Sequence, residues 1–126
     1  MEQAVERLTA LCFLMTGLSH LTAPKAWARF FIQVRGLGDT AGLVNAWIHA
    51  PLGLLIVAFH PVWSGPALLV TLVGWGLTVK GTLHFCFPVL TQRTLSQVSV
   101  ERAWMFQVAG VFALGVAGVA GWAASA

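Results

Sequence analysis

Four stretches of about 20 mostly apolar residues dominate this chain, at residues 4–23, 41–59, 66–87 and 102–124. A helix needs about 20 such residues to cross the hydrocarbon core of a bilayer. Only 9% of the residues are charged, against about 25% in soluble domains, so the chain cannot cover itself with polar surface. We therefore expect an all-α polytopic membrane protein, a single domain over residues 1–126, with four transmembrane helices in one bundle.

The links between these stretches predict how the bundle is oriented. Residues 25–35 mix bases with aromatic side chains, which is typical of a short amphipathic helix in the membrane interface. Most of the basic residues fall on the side that holds the two longer links, namely Lys25, Arg29, Arg35, Arg93 and Arg102. Because positive charge marks cytoplasmic links, we expect a protein of the cell inner membrane with both termini outside the cytoplasm.

One pattern occurs twice in the chain and indicates an internal repeat. Gly-x-x-His-x-x-x-Pro ends the first span at residues 17–24 and the third span at residues 81–88. These two spans run in the same direction, so the pattern predicts two hairpins, residues 4–59 and 66–124, related by a pseudo-two-fold axis along the membrane normal. The alternative is coincidence, because Gly and Pro are common at the ends of membrane helices.

Polar side chains collect in the cytoplasmic half of the predicted bundle. Ionisable groups at membrane depth cost a few kcal/mol each and mark functional sites. At 1.5 Å per residue, three spans place such groups at similar depths, and the loop before the fourth adds an acid at the edge. The predicted ligand-binding residues are His20, Asn45, His49, Lys80, His84 and Glu101. His49 follows Asn45 by four residues and His84 follows Lys80 by four, so each pair shares one helix face.

Several chemistries remain open for this set. Lys80 with its neighbouring histidines would attract an anion or an acidic lipid headgroup. His20 and His84, at equal depth on the repeated helices, could instead be metal ligands or the axial ligands of a haem. A histidine in a membrane helix can also be only a helix contact. His60 precedes Pro61 at the outer turn, and we expect it to be interfacial and without a role.

Three functions are compatible with these features. The first is a membrane protein that binds or translocates a small polar or anionic species through a cytoplasm-facing pocket. The others are a haem- or quinone-linked redox subunit and an accessory subunit of a larger membrane complex. The sequence has no Ser-His-Asp set, phosphate loop or nucleic-acid motif, which favours neither an enzyme nor a nucleic-acid partner. Small residues at four-residue spacing on the fourth span favour a homo-oligomer or a larger complex: Ala109, Ala113, Ala117 and Gly121.

Residues 14–31 bear a family resemblance. They place Gly17-Leu18 near the end of a helix and then Pro24 followed by Trp27 and Phe30. This stretch resembles the first helix of the DoxX-like family of small four-helix bacterial membrane proteins. The resemblance implies a four-helix bundle in a bacterial membrane, and an association with quinone-coupled redox complexes, as for some members of that family.

Overall fold

The computed structural model describes the whole chain and consists of six helices without strands. The helices are α1 (Glu2–Thr22), α2 (Pro24–Arg35), α3 (Thr40–Phe59), α4 (Ala67–Cys86), α5 (Pro88–Leu95) and α6 (Trp104–Ser125). The all-helical prediction is confirmed, and each predicted span coincides with one long helix. The basic and aromatic link forms α2. The short helix α5 was not predicted.

Three of the long helices, α3, α4 and α6, are long and apolar enough to cross a membrane. Helix α1 is equally long, but it carries Glu6, Arg7 and His20, which lower its mean hydropathy. Large apolar side chains are exposed along the long helices, among them Trp47, Leu54, Phe85 and Phe112. A helix that is apolar on its outward face as well as its inward face is typical of a membrane environment. The chain is therefore a membrane-associated helical protein.

Two prolines divide the long helices from the short ones. Pro24 and Pro88 are the first residues of α2 and α5, a position where the missing N–H of proline costs nothing. The residue before a proline disfavours helical backbone, so α1 and α4 end there. The order of a long, a short and a long helix consequently occurs twice along the chain.

Glycines set how closely the long helices approach. Helix α1 packs along α6, and α3 packs along α4. A Cβ added at Gly17 would lie 2.9 Å from the carbonyl oxygen of Gly110, and one added at Gly81 would lie 2.7 Å from the Cβ of Ala50. Such near-contact of backbones is what small residues permit in membrane bundles.

The two ends of the bundle are different. At one end, the termini end, Gln3 donates a hydrogen bond to the carbonyl of Ala124 at 2.7 Å, and Glu6 of α1 contacts His60 of the α3–α4 link. The other end, the basic end, holds α2 and α5. There Arg35 donates from Nη1 to the carbonyls of Leu95 and Val98 at 3.0 and 3.1 Å. Gln92 donates back to the carbonyl of Arg35 at 3.0 Å. Each short helix is thus tied to the other.

Candidate functional site

An open groove on the flank of α4 contains two of the predicted site residues. It has a volume of about 440 Å³ and lies between α4 and α5. Its polar groups come from Lys80, His84 and Thr94. Its apolar wall is formed by Trp75, Val79, Leu83 and Leu90. We call this feature the Lys80 groove.

The ammonium of Lys80 has no acidic partner. Its side chain is exposed, and the chain's one salt bridge joins two other residues, at the opposite end. Its charge is near enough to act on the imidazoles of both His49 and His84. Glu101 lies exposed before α6 and forms no salt bridge. The structure therefore brings Lys80, His49 and His84 into one neighbourhood and leaves Glu101 unpaired.

His84 is held in place by α3 and α5. Its Nδ1 lies 2.8 Å from Oγ1 of Thr91, and the residue is 4% exposed. Pro88 turns the chain back so that α5 can offer this hydroxyl. Gly42 on α3 lies directly against the carbonyl of His84, where a Cβ would come within 2.5 Å of the oxygen. The ring is thus fixed through Nδ1, while its Nε2 is free to bond a ligand.

Asn45 and His49 belong to α3 and do not line the groove. The Nδ1 of His49 donates to the carbonyl of Asn45 at 2.8 Å. Asn45 itself is 3% exposed, and its Oδ1 is buried without a hydrogen-bond partner. A buried unpaired acceptor costs about 1–3 kcal/mol. The predicted pair therefore shares one helix face, with Asn45 buried and His49 half-buried, outside the lining of the Lys80 groove.

His20 occupies a separate, aromatic setting. Its ring stacks on Trp27 with centroids 4.4 Å apart and lies 5.6 Å from the ring of Phe106. Trp27 in turn donates to the hydroxyl of Ser19 at 2.8 Å. His20 thus fastens α2 against α1 and α6. Its Nδ1 donates to the carbonyl of Thr16 at 2.8 Å, whereas the hydrogen-bond partner of His84 is Thr91. No group of three or more His, Cys, Asp or Glu residues is placed to hold a metal ion.

The prediction for His60 was wrong, because this histidine is fully buried rather than interfacial. It is 0% exposed and follows directly after the end of α3. Its Nε2 lies 3.0 Å from Oε1 of Glu6, and its Nδ1 lies 2.9 Å from Oγ1 of Thr71. One signal could have found this cluster: Glu6 is an acid within a predicted span, and such a group needs a partner at its own depth.

No family model, curated protein or solved structure matches the chain. The DoxX-like resemblance therefore stays a prediction.

Proposed function

We propose that this protein spans the inner membrane with four helices and binds a small anionic amphiphile, of the kind an acidic phospholipid presents, in the Lys80 groove. The observation that carries this proposal is the unpaired ammonium of Lys80 in a groove that has one polar end and one apolar wall.

The fourth span in this proposal is α1. Its 21 residues extend about 31 Å at 1.5 Å per residue, close to the roughly 30 Å of the hydrocarbon core. The carboxylate that lowers its hydropathy belongs to Glu6, which is buried against His60 and faces no lipid. Packing along α6 further supports a spanning position for α1.

The distribution of charge supports an orientation with the basic end in the cytoplasm. Positive residues flank cytoplasmic ends, and the cytoplasmic leaflet carries the acidic lipids. Lys80 lies six residues before the end of α4 at Cys86, about 9 Å along the helix axis. In this orientation its flexible side chain reaches the headgroup level of that leaflet.

The groove offers complementary chemistry to such a ligand. An ammonium at membrane depth costs about 2.5–3.5 kcal/mol when nothing compensates it, and a phosphate or carboxylate oxygen would offset that cost. The hydroxyl of Thr94 and the free Nε2 of His84 supply further hydrogen-bonding groups. The apolar wall would take an acyl chain or a similar tail.

The internal repeat is also part of the proposal. Only the second repeat carries a cation at the position of Lys80. Two features support it: the matching order of long and short helices, and a glycine at a close helix contact in each motif. Lys80 directly precedes the second motif, and the corresponding residue before the first motif is Thr16, which is neutral. An anion site is therefore expected on α4 and not on α1.

The proposal is tested by ligand-dependent thermal stability of the protein in a neutral detergent. Dioleoyl phosphatidylglycerol is added in one series, the neutral dioleoyl phosphatidylcholine in a second, and inorganic phosphate in a third. A ligand at about 100 times its Kd stabilises the folded state by about 2.7 kcal/mol. We expect this stabilisation with the acidic lipid. A response to phosphate of the same size would identify a free anion as the ligand.

Two variants separate the groove from general surface charge. Lys80→Met removes the groove's cation, whereas Arg93→Met removes an exposed cation of α5 that does not line the groove. The acidic-lipid effect should be lost in Lys80→Met and kept in Arg93→Met. Equal responses from the two variants, or equal responses to acidic and neutral lipid in the unmodified protein, would contradict the proposal.

A further inference from the structure

Three polar side chains form a buried cluster at the termini end, away from the Lys80 groove. Glu6 comes from α1, His60 from the α3–α4 link and Thr71 from α4. Glu6 is 6% exposed, while His60 and Thr71 are 0% and 1% exposed. Together they contain the chain's one salt bridge, with 3.0 Å between Nε2 of His60 and Oε1 of Glu6.

The hydroxyl of Thr71 fixes which ring nitrogen of His60 carries hydrogen. Its Oγ1 lies 2.6 Å from the carbonyl oxygen of Val62 and 3.1 Å from that of His60. Carbonyl oxygens only accept hydrogen bonds, so the single hydroxyl hydrogen is directed to a carbonyl. Oγ1 must then accept from the Nδ1 of His60, 2.9 Å away, and Nδ1 carries a hydrogen.

The contact between Nε2 and Glu6 then requires a second proton. Either the imidazolium donates from Nε2 to a carboxylate, or a protonated carboxyl donates to a neutral ring. Both arrangements hold two labile protons on the pair and have no net charge. Removing one proton would leave a buried negative charge and would force the Thr71 hydroxyl toward Nδ1. The 2.6 Å contact with Val62 would then join two oxygens without a hydrogen between them.

We propose that Glu6, His60 and Thr71 form a proton-binding site, whose second proton the folded protein retains and whose loss loosens α1 from the α3–α4 link. The other ionisable groups of the surrounding elements are exposed or lie further along the chain. Cys12 and His20 on α1 and His49 on α3 are each at least six residues from Glu6 and His60. On α1, Glu2 and Arg7 are exposed and make no salt bridge. The link holds no other ionisable residue, α4 has none before Lys80, and α6 has no ionisable side chain. The chain termini, which also lie at this end, are exposed.

The direction of the pH dependence follows from counting protons. In the unfolded chain, Glu and His titrate near their reference values of about 4.3 and 6.5. Between these values the unfolded pair also holds two protons, so the pair itself adds no pH dependence to folding. Above about pH 6.5 the unfolded pair has lost one proton that the folded pair keeps. The folding equilibrium constant should then fall roughly tenfold per pH unit.

The test is the unfolding equilibrium of the full chain in detergent, measured from about pH 5.5 to about pH 8.5. The unmodified protein should lose stability above about pH 6.5 with that slope. In Glu6→Gln the amide can donate to Nε2 of a neutral ring, so no extra proton is held and this slope should disappear. Glu2→Gln, a change of an exposed acid on the same helix, should keep the slope of the unmodified protein. Equal slopes for Glu6→Gln and the unmodified protein would overturn the proposal.

A second measurement needs no variant that could fail to fold. In protein labelled with ¹⁵N-histidine, the fully buried His60 ring is recognised by its slow hydrogen exchange. At about pH 7.5, above the reference value of histidine, the site should show two ring N–H groups, or one together with a protonated carboxyl in the infrared spectrum. A singly protonated ring beside an ionised Glu6 at that pH would overturn the proposal.

Discussion

Replacing Gly81 with alanine should push α3 and α4 apart. The new Cβ would lie 2.7 Å from the Cβ of Ala50 and 3.0 Å from its Cα and N, whereas carbon atoms pack at about 3.5–4.0 Å. The obstructing atoms belong to the backbone and its first carbon, so no side-chain rotation relieves the contact. The two helices must separate by roughly 1 Å near this point, and overpacking of this kind costs about 1–3 kcal/mol.

A matched variant isolates that cost. Gly76 lies on the same helix and has no neighbouring atom within 4 Å of a built Cβ. Both substitutions gain the same helix-propensity term, about 0.5–1 kcal/mol, so it cancels in their difference. We expect Gly81→Ala to be less stable than Gly76→Ala by about 1–3 kcal/mol.

The comparison can be made by reversible unfolding in mixed micelles with increasing dodecyl sulfate. Gly76→Ala should unfold at the same denaturant fraction as the unmodified protein or at a higher one. Gly81→Ala should unfold at a clearly lower fraction than Gly76→Ala. If the two variants have the same free energy of unfolding, the close approach at Gly81 does not contribute to holding α3 against α4, and the reasoning fails.

Two further changes test how the short helices are fastened. Thr91→Val keeps the shape of the side chain but leaves Nδ1 of the buried His84 without its partner, which should cost about 1–3 kcal/mol; Thr91→Ser should restore most of the loss in the same unfolding assay. Arg35→Leu removes two charge-assisted hydrogen bonds to carbonyls and should destabilise the chain by about 1.5–3 kcal/mol. Arg93→Leu, at an exposed position, should change the free energy of unfolding by no more than about 0.5 kcal/mol. A loss in Arg93→Leu as large as that in Arg35→Leu would show that the hydrogen bonds of Arg35 do not account for the effect.

The long helices could be predicted because each is an apolar run of spanning length, a signal that does not depend on neighbours. Helix α5 could not, because its eight residues carry no such run. It begins where Pro88 fixes the backbone, and it is held by bonds from Arg35 and by Thr91's bond to His84. Contacts of this kind appear only once the chain has folded.

The sequence predicts the level of each site residue along its helix, but not the direction in which its side chain faces around the helix. A rise of 1.5 Å per residue places His20 and His84 at the same level, yet the rotation of each helix decides what each ring meets. In the structure, the ring of His20 meets Trp27, and the ring of His84 meets Thr91. His60 was misplaced for the same reason, because a turn residue can face inward as readily as outward.

The Lys80 groove lies along the flank of α4, between α4 and α5, and most of its lining residues belong to α4. The acidic lipid proposed as its ligand would reach the groove by lateral diffusion in the plane of the bilayer, without crossing into water. Occupancy would then follow the mole fraction of that ligand among the surrounding lipids. Dilution with neutral lipid at constant protein would empty the groove, while dilution with buffer would leave it filled.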